Sequence, residues 1–203
     1  VGSHSVTITA EDSNGGSDSQ SFTIIVSNIN DNPTFVSTAI TTVNEDVLYT
    51  YNVKVNDIDG DTVTLQCTTK PDWLTFTDLT KGIGILSGTP TNDNVGDHSI
   101  ILTAQDSNGA SSTQSFTITV SNVNDAPNIT STAITTATQN TEYTYTVEAS
   151  DVDSGDTVTL SCTTKPDWLT FNADTGVLSG TPQNSDVGSH SVTITAEDSN
   201  GGS

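Results

Sequence analysis

The chain has 203 residues, 32% hydrophobic and only 5% aromatic, and it carries 25 acidic residues against four lysines, for a formal net charge of −21. That sign excludes nucleic acid as a partner, because the phosphate backbone demands a cationic surface. No stretch approaches the ~18 consecutive apolar residues of a membrane-spanning helix, so no membrane insertion is expected within this segment.

The first seventeen residues, VGSHSVTITAEDSNGGS, return unchanged as residues 187–203, and a near-copy runs from Val95 to Ala110. Asp31 and Asp125 lie 94 positions apart, and Cys67 and Cys162 lie 95 apart. A period of this length fits a small independently folding domain and is too long for a helical or leucine-rich solenoid turn. The chain therefore divides into residues 1–30, the closing strands of one repeat; residues 31–124, a full repeat; and residues 125–203, a repeat without its last strand.

In chain order, apolar residues alternate in Val6–Ala10, Phe22–Val26 and Tyr143–Val147, the signature of strands with one buried face. The last repeat predicts strands at 128–137, 142–149, 157–163, 168–171, 176–179 and 189–197. Seven short strands per repeat, with turns about every ten residues, predict an all-β fold of tandem Ig-like Greek-key sandwiches joined end to end. Residues 18–27 would complete the last repeat if they followed Ser203. This leaves two arrangements: a continuous array, or head-to-tail self-association by strand exchange between copies.

Aspartate outnumbers glutamate twenty to five, a bias that plain solubilising or halophilic surface charge does not require. The acids gather in three kinds of loop. One is the inter-repeat linker, Asn28–Pro33 and Asn122–Pro127. Another is the loop after the second strand, Asp57-Ile-Asp-Gly-Asp61 and Asp151-Val-Asp-Ser-Gly-Asp156. The third follows the penultimate strand, at Glu11-Asp12, Gln105-Asp106 and Glu197-Asp198. Short carboxylates crowded into loops suit Ca²⁺, a hard cation that takes 6–8 oxygen ligands.

These stretches carry a resemblance. The linker Asn-Ile-Asn-Asp-Asn-Pro resembles the cadherin interdomain calcium motif, with Asn28 where that motif has Asp. Pro71-Asp-Trp-Leu-Thr-Phe76 followed by Gly84-Ile-Leu-Ser-Gly-Thr-Pro90, repeated at 166–171 and 176–182, is similar to bacterial and archaeal dystroglycan-type cadherin-like repeats and to the related "Putative Ig" repeats of large surface proteins. The resemblance implies cadherin-like sandwiches with Ca²⁺ at each junction. It assigns Asn30, Asp31, Asn32, Asp57, Asp59 and Asp106 to the first junction, and Asn124, Asp125, Asp151, Asp153 and Asp198 to the second. Glu45 stands where such repeats place a glutamate facing the next junction; its counterpart is Gln139, and Ala126 replaces Asn32. The Leu-Asp-Arg-Glu element of cadherins is absent. One or two ions per junction are expected, with tighter binding at the first.

The implied function is that of a calcium-stiffened spacer or filament segment of an extracellular adhesin on the cell surface. Its partners would be neighbouring repeats, copies of itself, and a glycan or cell-surface ligand. The alternative is a carbohydrate-binding accessory module of a secreted polysaccharide-acting protein. No nucleophile elbow, Cys–His pair or His-Glu-x-x-His motif is present, so no catalytic residue is assigned and the segment is read as non-enzymatic. Asp57-x-Asp-x-Asp61 starts like an EF-hand loop, but position twelve is Thr68. Trp73 and Trp168 read as core packing rather than sugar platforms. The histidines at 4, 98 and 190 read as structural or surface residues. Cys67 and Cys162 read as small buried hydrophobes, too far apart along the array for a disulfide.

Overall fold

The computed structural model describes all residues from Val1 to Ser203. By packing, the chain forms two units. The first comprises residues 1–43, 47–90 and 96–120, and the second comprises residues 44–46, 91–95 and 121–203.

The first unit begins with a β-hairpin, β1 (Gly2–Glu11) and β2 (Ser17–Val26), paired from Gly2↔Val26 to Glu11↔Ser17. The remaining strands are β3 (Thr34–Phe35), β4 (Thr42–Asn44), β5 (Tyr49–Asn56), β6 (Thr64–Thr69), β7 (Thr75–Asp78), β8 (Ile83–Gly88), β9 (Gly96–Gln105) and β10 (Ser111–Ser121). They form two four-stranded sheets, ordered β3-β5-β8-β7 and β4-β10-β9-β6. The segment from Thr34 to Asn44 thus contributes one short strand to each sheet, which ties the sandwich together at its edge. With that segment taken as one strand, the seven expected strands are present.

Strict alternation in Tyr49–Asn56 produces a buried–exposed repeat along β5, as a strand with one face on the core requires. The core holds Tyr49, Tyr51, Val53, Val55, Val63, Leu65, Leu74, Leu86, Ile100, Leu102, Ala104 and Ile118. A bulge between Cys67 and Thr69 interrupts pairing with β9. Cys67 is only partly buried and its thiol donates to Thr69 O at 3.3 Å, so the small-hydrophobe reading holds in a shallower form.

The second unit repeats the plan with β11 (Asn128–Ile129), β12 (Tyr143–Thr146), β13 (Ala149–Ser150), β14 (Thr159–Thr164), β15 (Leu169–Asn172), β16 (Val177–Gly180) and β17 (Thr193–Glu197). Its pairings are β11-β13, β12-β16-β15 and β14-β17, with the same bulge at Cys162/Thr164. The expectations differ from the structure at three places. The strand expected at 128–137 is confined to Asn128–Ile129. The strand at 142–149 is broken between Thr146 and Ala149. The strand at 189–197 begins only at Thr193. The physical reason is shared by the first and last of these: residues 131–138 and 188–192 correspond to segments that, in the first unit, pair with β10, and the second unit has no such strand. Its buried core is correspondingly small, formed by Tyr145, Val147, Leu169 and Leu178.

The repeated Ser-Gly-Thr-Pro motif has a steric cause. A Cβ on Gly88 would lie 2.0 Å from Trp73 O, and one on Gly180 would lie 2.0 Å from Trp168 O. Only glycine admits that approach of backbone to backbone. The indoles make T-shaped contacts: Trp73 with Tyr49 at 6.1 Å and with His98 at 5.8 Å, and Trp168 with Tyr143 at 6.1 Å and with His190 at 6.2 Å. The indoles are thus engaged in packing, and His98 and His190 gain a structural role as partners of the tryptophans.

Candidate metal centre

In the first unit the linker, the loop after β5 and the turn between β9 and β10 supply the acidic cluster. Asp57 starts an Asx-type turn: its Oδ1 accepts the N–H groups of Asp59 at 3.0 Å and Asp61 at 3.2 Å. This curls the loop so that carboxylate oxygens of Asp57, Asp59 and Asp61 lie within 4.8 Å of one another. Asp31 donates its backbone N–H to Asp59 Oδ2 at 2.7 Å. Asn30 donates to Asp106 Oδ2 at 2.9 Å, while Asn108 donates to Asn30 Oδ1 at 2.9 Å and to Asp61 Oδ2 at 2.6 Å. Asp106 Oδ1 also accepts the N–H groups of Asn108 and Ala110, both at 2.9 Å. The Asn30 amide, chiefly, and those backbone N–H groups hold the buried Asp106 carboxyl below its ordinary 3.8, against the opposing effect of desolvation. Asn32 is exposed beside Asp31 and takes no part in this network.

The second unit builds the same centre with additional residues. Asp153 Oδ2 accepts the N–H of Asp125 at 2.7 Å, and Asp153 Oδ1 accepts the Asn92 amide at 2.7 Å. Asp151 Oδ1 accepts the N–H of Asp153 at 2.8 Å. Asn124 donates to Asp198 Oδ2 at 3.0 Å and is the main cause of that carboxyl's lowered pKa. Asn200 donates to both oxygens of Asp156 at 2.8–2.9 Å. Oxygens of Asp151, Asp156 and Asp198 lie within 4.8 Å of one another. Glu45, 1% exposed, belongs to this unit. Its Oε1 accepts the N–H of Val123 at 2.7 Å.

Three carboxylate oxygens are buried without a hydrogen-bond donor: Glu45 Oε2, Asp57 Oδ2 and Asp151 Oδ2. A buried anionic oxygen with no donor is costly and calls for a cation. The donor set is all oxygen, from carboxylates and side-chain amides, which suits Ca²⁺ and disfavours zinc or copper. The residues present fit the ion that the sequence implies.

The structure brings Asn30, Asp31, Asp57, Asp59 and Asp106 together, and separately Asn124, Asp125, Asp151, Asp153 and Asp198; Glu45 is tied instead to the backbone of Val123. Sequence reasoning missed Asp61, Asp156, Asn92, Asn108 and Asn200. The third acid of each Asp-x-Asp loop and the Asp-Ser-Asn repeat were visible signals. Asn92 had none, because it reaches Asp153 from 61 positions away.

Two Ig-like sandwich units with a repeated acidic loop cluster define a tandem-repeat protein of the cadherin-like class. The chain belongs to the family described as "Putative Ig domain", whose model matches residues 32–121 and 126–203. It is similar to the serine-rich adhesin for platelets of Staphylococcus aureus (strain MRSA252), 31% identical over 140 residues, which is 69% of this chain and 10% of that protein. The chain thus spans about a tenth or less of the adhesins it matches. Among solved structures, protocadherin gamma B2 extracellular cadherin domains 1–5 superpose with a TM-score of 0.61 at 18% identity, covering 98% of this chain and 45% of that one, a likeness of fold. An endo-fucoidan hydrolase of glycoside hydrolase family 107 superposes over 97% of this chain and 32% of that one, at 28% identity and a TM-score of only 0.44.

Proposed function

We propose that this segment is a calcium-stiffened spacer of an extracellular surface adhesin, non-enzymatic in itself, which holds a binding region away from the cell. The observation that carries the reading is the set of donor-less buried oxygens of Asp57 and Asp151, at equivalent positions of the two repeats, and of Glu45. Bound Ca²⁺ would supply positive charge to these oxygens. The chain's own residues do the rest. Asn30 and Asn124 pin each linker to the turn before the last strand, and the N–H groups of Asp31 and Asp125 pin it to the Asp-x-Asp loop. A cation binding on top of that network removes freedom from the linker. The adhesin relative supports placement at the cell surface, and no helix is long and apolar enough to cross a membrane.

The test is thermal unfolding of the chain in EDTA and in millimolar Ca²⁺, with Mg²⁺ as control. A ligand at 100 times its Kd stabilises by ~2.7 kcal/mol. The expected result is a rise in midpoint specific to Ca²⁺ and lost in the Asp31→Ala, Asp59→Ala double variant. An unchanged midpoint would remove calcium from the proposal.

A further inference from the structure

The turn between β9 and β10 meets two demands that conflict chemically. Gly109 has a φ of 96°, where any side chain is strained, so the turn needs glycine. Asn108, just before it, serves the acidic cluster. Its side-chain amide donates to Asn30 Oδ1 at 2.9 Å and to Asp61 Oδ2 at 2.6 Å. Together the two demands produce Asn-Gly, and of the chain's asparagines only Asn14, Asn108 and Asn200 precede glycine. Such a dipeptide attacks itself: the glycine nitrogen, unshielded by a side chain, closes a five-membered ring on the asparagine Cγ.

The fold opposes that attack at Asn108. The Gly109 N–H donates to Asp106 O, a long bond of 3.3 Å. The leaving nitrogen is the firmer restraint. Nδ2 is the donor in both bonds of the amide, and the one to Asp61 is charge-assisted, the strong class of hydrogen bond. Both must break before Cγ swings onto the Gly109 nitrogen.

We propose that Asn108 is a deamidation site held in check by its bonds to Asn30 and Asp61, so that the latch on the linker is also a slow one-way switch. The step balances without oxidant or reductant. Gly109 N bonds to Asn108 Cγ, the Cγ–Nδ2 bond breaks, and the Gly109 proton ends on Nδ2, which departs as ammonia. Water then opens the succinimide to aspartate or isoaspartate. The arrangement recurs at Asn200, whose amide donates to both oxygens of Asp156 at 2.8–2.9 Å.

The product inverts the contact. Two donors are lost, and a carboxylate stands where an amide lay against Asp61. Without a cation that is repulsion; with one it is a further oxygen ligand. The deamidation site is independent of calcium, and only this consequence rests on the calcium reading.

Peptide mapping by mass spectrometry on the full chain, in EDTA at mildly alkaline pH, follows conversion at Asn108. A synthetic peptide of residues 104–112 is the unrestrained reference. Asn108 in the folded chain should convert about tenfold more slowly than in the peptide, or about 1.4 kcal/mol, the scale of one hydrogen bond to a charged group. Asp61→Ala should recover most of that factor. Asp59→Ala removes the same charge without touching the Asn108 amide and should recover little. Circular dichroism checks that both are folded; if Asp61→Ala is not, Asn30→Ala takes its place with the same expectation. Equal rates in chain and peptide overturn the proposal, as does a peptide that does not convert, or equal acceleration by the two variants. The product is read with Asn108→Asp, whose urea midpoint in EDTA should fall below that of the natural chain and whose gain on adding Ca²⁺ should be larger. A natural chain that gains nothing from Ca²⁺ removes the calcium reading and leaves the deamidation site standing. A natural chain that gains while Asn108→Asp gains no more overturns the switch.

Discussion

Asn30 donates its side-chain amide to Asp106 at 2.9 Å across 76 positions of sequence. The bond recurs as Asn124 to Asp198 at 3.0 Å, so it belongs to the repeat and not to one loop. In both places it joins a linker to the turn that precedes the position of the last strand, and it selects the ionised carboxylate.

That selection fixes a pH dependence. Both carboxyls titrate below their ordinary 3.8 in the folded chain, first because of the asparagine amide and then because of backbone N–H groups. A depressed folded pKa adds stability above the unfolded pKa, and that stability is lost as pH falls through the folded value. Urea midpoints in EDTA should therefore hold, as far as these two groups are concerned, down to about pH 4 and fall below it. Asn30→Ala with Asn124→Ala should shrink the fall measured between pH 4 and pH 2.5. An equal fall in the variant would show that the asparagines do not set it.

The acidic loops should respond to neutralisation with opposite signs in the two ionic conditions. Without a cation, Asp57, Asp59 and Asp61 repel within 4.8 Å, by about 1 kcal/mol per pair at water-like screening. Asp57→Asn and Glu45→Gln should therefore leave the midpoint in EDTA unchanged or raised, while reducing the gain on adding Ca²⁺. Thermal scans of the natural chain and each variant in both buffers read this directly. A variant that loses stability equally in both buffers would have removed packing and not a ligand.

Much of this arrangement was legible in the sequence, and the exceptions have a common cause. Tyr49–Asn56 alternates, and its strand follows. The linker and the Asp-x-Asp loops announce an oxygen cluster. Yet Ser-Thr-Ala-Ile-Thr-Thr occurs identically at 37–42 and at 131–136. The first copy leads into β4, which pairs with β10; the second forms no strand. Local sequence cannot distinguish the two, because strand formation there depends on a partner distant in sequence. Asn92 escaped notice for the same reason, its role being set by a tertiary contact with Asp153.

The glycine of Ser-Gly-Thr-Pro should tolerate no side chain. A methyl on Gly88 or Gly180 meets a carbonyl oxygen of the backbone at 2.0 Å, and neither strand can yield without breaking the pairing of β7 with β8 or of β15 with β16. Gly88→Ala and Gly180→Ala should each cost about 2 kcal/mol or more, in the range of overpacked sites. Thr50→Ala on the exposed face of β5 should stay within about 0.5 kcal/mol. Chemical denaturation followed by circular dichroism distinguishes these outcomes, and a neutral Gly88→Ala would refute the steric account of the motif.

The two tryptophans report the two units separately, one in each. Trp73 packs against a core of twelve buried residues, whereas Trp168 packs against a core of four. Positions that are sealed in the first unit are open in the second: Ile100 is 1% exposed and its counterpart Val192 is 40% exposed. Less apolar area removed from water means a smaller opposing force to chain entropy, so the second unit should unfold first. The Trp73→Phe chain, which retains Trp168, should lose its native fluorescence at lower urea than the Trp168→Phe chain, which retains Trp73. Both variants are compared at the same low protein concentration. Coincident transitions under those conditions would mean that the second unit derives its stability from something other than its own core.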